Sequence, residues 1–325
     1  MNEPLLSVEN LKTHFFTRAG VVKAVDGVSF TVQRGEALGI VGESGSGKSI
    51  TSLSIVGLVP QPAGRIVAGK IVFDGEDLAT KSQSALRAWR GKRIAMILQD
   101  PLMSLNPVYS IGDQVAECFR LDGNRAALAQ RVIEVLGRVN IPAPARRLNH
   151  YPFQFSGGMR QRTVAAMAIS RSPELLIADE PTTSLDVTIQ DQFLRLLKDL
   201  QVQNNMALIL ITHDLGIVAE SCDRIAIMYA GRIVECGTVK RLYENPAHPY
   251  TRALMLALPR LGRKEKRLYQ IEGEPPNLAK LPSGCSFAPR CPAQMEICRA
   301  EYPPAVPLDD GGQACCWRLG ERGTS

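Results

Sequence analysis

The chain has no long apolar run, no block of like charge, no internal repeat and no low-complexity tract. A membrane-spanning helix needs roughly 18–20 consecutive apolar residues, and no uninterrupted stretch approaches that length. The N-terminus, MNEPLLSVENLK, lacks the basic-then-apolar layout of a secretory signal. These absences predict a soluble chain of the cytosol, bound to a membrane only through partners. Its 38 Lys and Arg are countered by 32 Asp and Glu, for a formal charge of +6, and they form no basic arm. The footprint of a nucleic-acid binder is therefore missing. Tight C-x2–4-C pairs, the common mark of structural zinc, are missing too.

What is present is a chain of 325 residues, 45% hydrophobic and 22% charged, with ample material for a core. That length suits two domains, or one large domain with an appendage. The stretch EALGIVGESGSGKSITSLSIVGL reads as a buried strand over 36–41, a glycine loop, and a helix from Lys48. Gly42, Gly47, Lys48 and Ser49 fit G-x-x-x-x-G-K-[ST]. Such glycines let the backbone curl until its N–H groups point at phosphate oxygens, and the helix N-terminus adds partial positive charge. Lys48 then reaches the β- and γ-phosphates of a nucleotide, and Ser49 offers its hydroxyl to Mg²⁺. Ser44, Gly45 and Ile50 belong to the same candidate nucleotide site. The bland alternative is a glycine turn that binds nothing.

Two further strands point the same way. ELLIADEP sets four apolar residues, 175–178, before Asp179 and Glu180. A parallel strand buried on both faces would deliver those acids at its carboxyl end, where open α/β sheets bind ligands. Asp179 is placed to hold a Mg²⁺ shell through water, and Glu180 to polarise a water attacking the γ-phosphate. Seen alone, the pair would read as a helix cap. A third strand, MALILIT (206–212), ends on His213, which would emerge at the same sheet edge. FSGGMRQRTVAAMAISRSP (155–173) opens an amphipathic helix at Ser156-Gly157-Gly158, a second anion-binding helix end. One chain does not easily place two such ends on opposite sides of one nucleotide; two chains head to tail do.

With these motifs in order, the chain resembles the ABC-type ATPases over roughly residues 5–245. The resemblance rests on the phosphate loop at 42–49, Gln99 in AMILQDP, the signature at 155–159, Asp179-Glu180, SLD at 184–186, and His213. It implies an α/β P-loop NTPase fold: an ABC-type nucleotide-binding domain with an antiparallel β subdomain, a helical subdomain at about 100–160 and a small C-terminal metal-binding extension. It also implies that Phe15 stacks on adenine, a core Phe being the alternative. Gln99 senses the γ-phosphate and joins Ser49 at Mg²⁺. By the same resemblance, Glu180, His213 and Lys48 are expected as the catalytic set, and Ser156, Gly157, Gly158 and Asp186 are expected to meet the nucleotide of a partner subunit. Phe155 and Met159 depart from the usual Leu and Gln of the signature.

GIVGESGSGKS, QDPLMSLNPVYSIGDQ, FSGGMRQR, IADEPTTSLDVTIQDQ and NPAHPYTRALMLALP narrow the resemblance to the ATP-binding subunits of dipeptide/oligopeptide (peptide/nickel) importers. That branch implies ATP and Mg²⁺ as cofactors. Its partners are two membrane permeases, a second and often non-identical ATPase subunit, and an extracytoplasmic substrate-binding protein. The location is peripheral, at the cytoplasmic face of the inner membrane. The division expected is 1–245 for the nucleotide-binding domain and 246–325 for the extension. Nickel or another small solute is the alternative cargo, and a redox-regulated soluble ABC ATPase the alternative function. A DNA-repair ATPase would separate its phosphate loop and signature by very long coiled coils. Here about a hundred residues without sustained heptads lie between them.

Five of the eight cysteines fall in the last 41 residues, spaced Cys285-x5-Cys291-x6-Cys298, then sixteen residues to Cys315 or seventeen to Cys316. A reducing compartment disfavours disulfides. Spacing alone suggests four thiolates and names no metal, since it fits neither tight zinc pairs nor the common ferredoxin runs; unligated thiols are the alternative. The resemblance implies a [4Fe-4S] cluster on Cys285, Cys291, Cys298 and Cys316, with zinc as the other metal. Cys316 is preferred to Cys315 because aromatic Trp317 follows it.

Overall fold

The computed structural model describes residues 3–100, 104–119, 127–183, 185–258, 269–309 and 311–320. Ser184 of SLD and residues 101–103 of the QDPLMSL stretch lie outside the described residues. In chain order the strands are β1 (Leu6–Thr17), β2 (Gly20–Val32), β3 (Ala37–Val41), β4 (Gly64–Phe73), β5 (Glu76–Asp77) and β6 (Ile94–Ile97). They continue with β7 (Leu175–Asp179), β8 (Ala207–Thr212), β9 (Arg224–Tyr229), β10 (Arg232–Thr238), β11 (Val306–Pro307) and β12 (Gln313–Ala314). The chain divides into two compact units: residues 1–32, 38–80 and 212–325, and residues 33–37 and 81–211. Among the described residues no helix is long and apolar enough to cross a membrane.

The first unit holds an antiparallel sheet of order β2-β1-β4-β5, the β subdomain expected from the sequence. Along β1 the two-residue period of a strand buries Leu6 and Val8 and, after a register shift between Val8 and Leu11, Leu11 and Thr13. In the same unit β3 pairs in parallel with β9, and β9 with antiparallel β10. β3 is buried at every position because it is covered on both faces. Two short strands near the C-terminus extend this pairing: β12 pairs with β10, and β11 with β12.

The link to those residues is fixed by a buried carboxylate on β10. Glu235 is fully buried and accepts the backbone N–H groups of Ala247 and His248, each at 2.8 Å, and Arg241 Nη1 at 2.7 Å. These three donors, of which Arg241 is also the counter-charge, compensate its desolvation. His248 then caps the helix Pro249–Leu256, its Nδ1 accepting the Tyr250 N–H at 3.0 Å. Pro249 at the first helical position loses no hydrogen bond there.

The second unit contains parallel β6, β7 and β8. Around them run the helices Ile111–Glu117, Leu128–Arg138, Pro144–Arg147, Gly157–Ile169 and Val187–Gln203. The last buries Phe193, Leu194, Leu196, Leu197 and Leu200, one stripe at helical spacing.

Candidate functional site

The phosphate loop leaves β3 and enters the helix Lys48–Ile55. A Cβ on Gly42 would strike the Met228 carbonyl oxygen, and one on Gly47 the Ala24 carbonyl oxygen. Gly47 also has φ 102°, where any other residue is strained. The loop is thus packed against its floor while Ser44 and Gly45, at its tip, are exposed. Lys48 is buried and its Nζ donates to the carbonyls of Gly42 (2.8 Å) and Glu43 (3.1 Å), folding back over the loop. The N-cap, Gly47, has no side chain, and no acidic residue occupies the first turn. The positive end of the helix dipole therefore faces the loop with no capping side chain or first-turn acid against it. Ser46 Oγ is buried without a partner, and a buried hydroxyl left so is costly unless a ligand meets it. These features fit a bound polyphosphate. Ser49 and Ile50 follow, half-buried, on the helix.

Phe15 is half-buried on β1, opposite Val22 and Gly64. A Cβ on Gly64 would come within 2.7 Å of its ring; the glycine accommodates the ring, which keeps an exposed side. His213 follows β8 and is exposed rather than packed in the core. The next residue, Asp214, caps the helix Leu215–Ser221 by accepting the Gly216 N–H at 2.7 Å.

In the second unit the carboxyl ends of β6 and β7 bring together two of the predicted residues. Gln99 Nε2 donates to Glu180 Oε2 at 3.1 Å, and Thr183 Oγ1 donates to the same oxygen at 3.2 Å. Asp179, the last residue of β7, is 4% exposed, whereas Glu180 is half-buried with φ 44°. A positive φ on a glutamate is backbone strain held by its surroundings, here the Glu180 N–H donated to the Ile211 carbonyl at 2.9 Å.

The signature helix Gly157–Ile169 is capped by Ser156, whose Oγ accepts the Met159 N–H at 3.4 Å. A Cβ on Gly158 would come within 2.5 Å of Ile189 Cγ2, so that glycine sets how closely the two helices approach. Ser156, Gly158, Met159, Arg162 and Gln192 line an open cavity of 460 Å³. Phe155 is 2% exposed, its ring edge-on to His150 at 6.2 Å; the departure from Leu fills a core position. Asp186 caps the helix Val187–Gln203, Oδ1 accepting the Ile189 N–H at 3.0 Å.

All eight cysteines are free. The expected metal-binding extension lacks assembled ligand geometry: among the described residues no group of three or more His, Cys, Asp or Glu could hold a metal ion. The thiols are nonetheless neighbours. Burial pushes the Cys285 thiol up to about 11, and Cys298, Cys291 and Cys316 push it the same way. Cys315 turns elsewhere, its Sγ 3.5 Å from the Ile233 carbonyl oxygen on β10. The donor chemistry of four thiols fits a thiophilic metal.

Sequence reasoning missed three residues at the loop's first step: Glu43, and Arg290 and the Tyr250 hydroxyl, which both hydrogen-bond it. All three lay in stretches already singled out, the phosphate loop, HPYT and the cysteine-bearing tail, but nothing in those stretches linked them.

Comparison with known proteins places these features. Residues 25–183 match the ABC transporter family, and residues 234–298 the oligopeptide/dipeptide transporter C-terminal region. The chain is 51% identical to a probable peptide ABC transporter ATP-binding protein of Sinorhizobium fredii, over 98% of this chain and 96% of that one. It is 49% identical to the dipeptide transport ATP-binding protein DppD of Escherichia coli, over 96% of both chains. The Bacillus subtilis DppD is 47% identical, over 98% of this chain and 96% of that one. Among solved structures, the dimeric ATP-binding cassette MJ0796 bound to ADP and Pi superposes with a TM-score of 0.64 at 24% identity. That superposition covers 72% of this chain and 98% of the cassette.

Proposed function

Because the chain belongs to the ATP-binding proteins of peptide ABC transporters, we propose that it hydrolyses ATP to power import of di- and oligopeptides through a pair of membrane permeases. The observation that carries the reading is likeness to dipeptide transport ATP-binding proteins along nearly the whole chain, the C-terminal region included. The chain works at the cytoplasmic face of the inner membrane, held there by the permeases and paired with a second ATPase subunit. A substrate-binding protein delivers cargo on the far side.

In this mechanism Lys48 and the leading N–H groups of Lys48–Ile55 grip the β- and γ-phosphates, and Phe15 stacks on the base. Ser49 and Gln99 would hold Mg²⁺, and Asp179 would support it through water. Once bound there, the ion would neutralise phosphoryl charge. Glu180 accepts a hydrogen bond from the attacking water and orients it in line with the γ-phosphorus, and His213 contacts the γ-phosphate. Gln99 and Thr183, which already hydrogen-bond Glu180, keep that carboxylate aimed. Ser156, Gly157, Gly158 and Asp186 close over the nucleotide of the partner subunit. The nucleotide-binding domain takes residues 1–245 and the extension 246–325.

The test is co-purification with native permeases, followed by ATPase assays in proteoliposomes with the binding protein. Stimulation by dipeptides supports the proposal; stimulation by nickel alone overturns the cargo, and no ATPase activity overturns the function. We further propose that Cys285, Cys291, Cys298 and Cys316 hold a [4Fe-4S] cluster as a structural crosslink, which a proline-rich segment without a large core needs. Anaerobic purification with iron, sulfide and zinc analysis distinguishes cluster from zinc, and a metal-free but stable extension refutes both.

A further inference from the structure

Glu43 follows the first glycine of the phosphate loop, and residues from the C-terminal end of the chain hold it twice. The Tyr250 hydroxyl accepts the Glu43 N–H at 3.1 Å. Arg290 Nη1 donates to both Glu43 carboxylate oxygens, at 3.0 and 3.2 Å. Arg290 is itself fixed: Nη1 also reaches the Tyr229 hydroxyl at 3.2 Å, and Nε donates to the Glu272 carbonyl at 3.0 Å. Its side chain is 6% exposed and that of Glu43 25%, so this pair is less screened than an ordinary surface bridge. The short turn Ala288–Arg290 rests on Phe287, whose ring meets Tyr229 at 5.4 Å and Tyr250 at 5.3 Å. All three rings are fully buried, which gives Arg290 a rigid base.

An unpaired carboxylate at the second residue of this loop would repel a polyphosphate in a weakly screened setting. Arg290 removes that charge, and Tyr250 commits the Glu43 N–H, so the start of the loop is set before nucleotide arrives. We propose that Arg290 is a positioning residue for nucleotide binding, through which the C-terminal extension holds the phosphate loop in its binding shape. The proposal rests on the reading of residues 42–49 as the nucleotide site. Coupling of this kind is reciprocal: nucleotide in the loop steadies the turn that carries Arg290.

The test uses the full-length chain titrated with MgADP and with a non-hydrolysable MgATP analogue, folding being checked by circular dichroism. Arg290→Met should weaken binding about tenfold, which is ~1.4 kcal/mol. Adding Glu43→Gln should recover most of it, because the unneutralised carboxylate is gone. Arg290→Lys, which keeps charge but loses the fork, should fall between. In turnover assays KM for ATP should rise while kcat stays within about twofold. Amide exchange at residues 287–291 should slow on adding MgADP to the wild type and not to Arg290→Met. Wild-type affinity in folded Arg290→Met overturns the proposal, as does a loss that Glu43→Gln does not rescue or a fall in kcat at unchanged KM. Failure of Lys48→Ala to weaken binding would instead overturn the nucleotide site itself.

Discussion

Acidification from pH 7.5 to 5.5 should destabilise the fold through one imidazole. His248 is 1% exposed, and its Nδ1 is committed to the Tyr250 N–H. Burial pushes its pKa down from 6.5 to about 3, since a charged ring there would lose its solvation. Between those values the unfolded chain binds a proton that the folded chain refuses, so stability is full above pH 6.5 and is lost as pH falls toward 3. At pH 5.5 the unfolded histidine is ~90% protonated and the loss is about 1.4 kcal/mol, rising to about 2 at pH 5. That figure requires only that the folded pKa lie well below 5.5. Urea unfolding of wild type and His248→Asn at pH 7.5, 6.5 and 5.5 isolates the effect. Asn retains an oxygen that can cap the helix and has nothing to titrate, and carboxylates such as Glu235, next to the His248 N–H, act in both chains. The wild-type advantage should shrink by about 1.4 kcal/mol between pH 7.5 and 5.5. Parallel pH profiles for the two chains would refute the buried neutral histidine.

Glu180→Gln should lower phosphate release more than about a hundredfold while ATP still drives subunit pairing on a sizing column; wild-type turnover would remove Glu180 from the mechanism. Lys48→Ala should raise the Kd for MgATP more than about tenfold, because a charge-assisted contact of ~1.5–3 kcal/mol is lost; calorimetry reads it. Gly47→Ala should cost ~1–3 kcal/mol of backbone strain, seen as a lower Tm, and should impair nucleotide binding more severely than the equally strained but open Gly45→Ala.

The parts of the fold that were legible are those whose burial writes a simple pattern. β7 and β8 are covered on both faces, so they appear as unbroken apolar runs ending on polar residues. The phosphate-loop helix and the signature helix begin where Gly47 and Ser156 suggest, because local capping chemistry sets those starts. β11 and β12 were illegible: two residues each carry no period, and only β10 as partner makes them strands. Glu235, the lone acid of a largely buried strand, gives no local sign that it organises Ala247 and His248. Glu43 and Arg290 stand 247 positions apart, and no pattern in a single chain connects them. The same limit applies to Cys315 and Cys316, adjacent in sequence yet with different neighbours, the Ile233 carbonyl for the first and Cys298 for the second.

The pairing of β12 with β10 has a consequence for how the molecule is made. β10 leaves the ribosome some seventy residues before the strand that covers its edge, and Cys315 supplies a further bond to the Val234 carbonyl at 2.8 Å. Until then the rim of a finished sheet is open, and an open rim is a template for pairing with another chain. A message truncated after about residue 300 would therefore yield a protein with its nucleotide loop encoded intact and a sticky margin. Poor solubility of such fragments, cured by restoring residues 306–316, would trace to that uncovered edge rather than to any loss of chemistry.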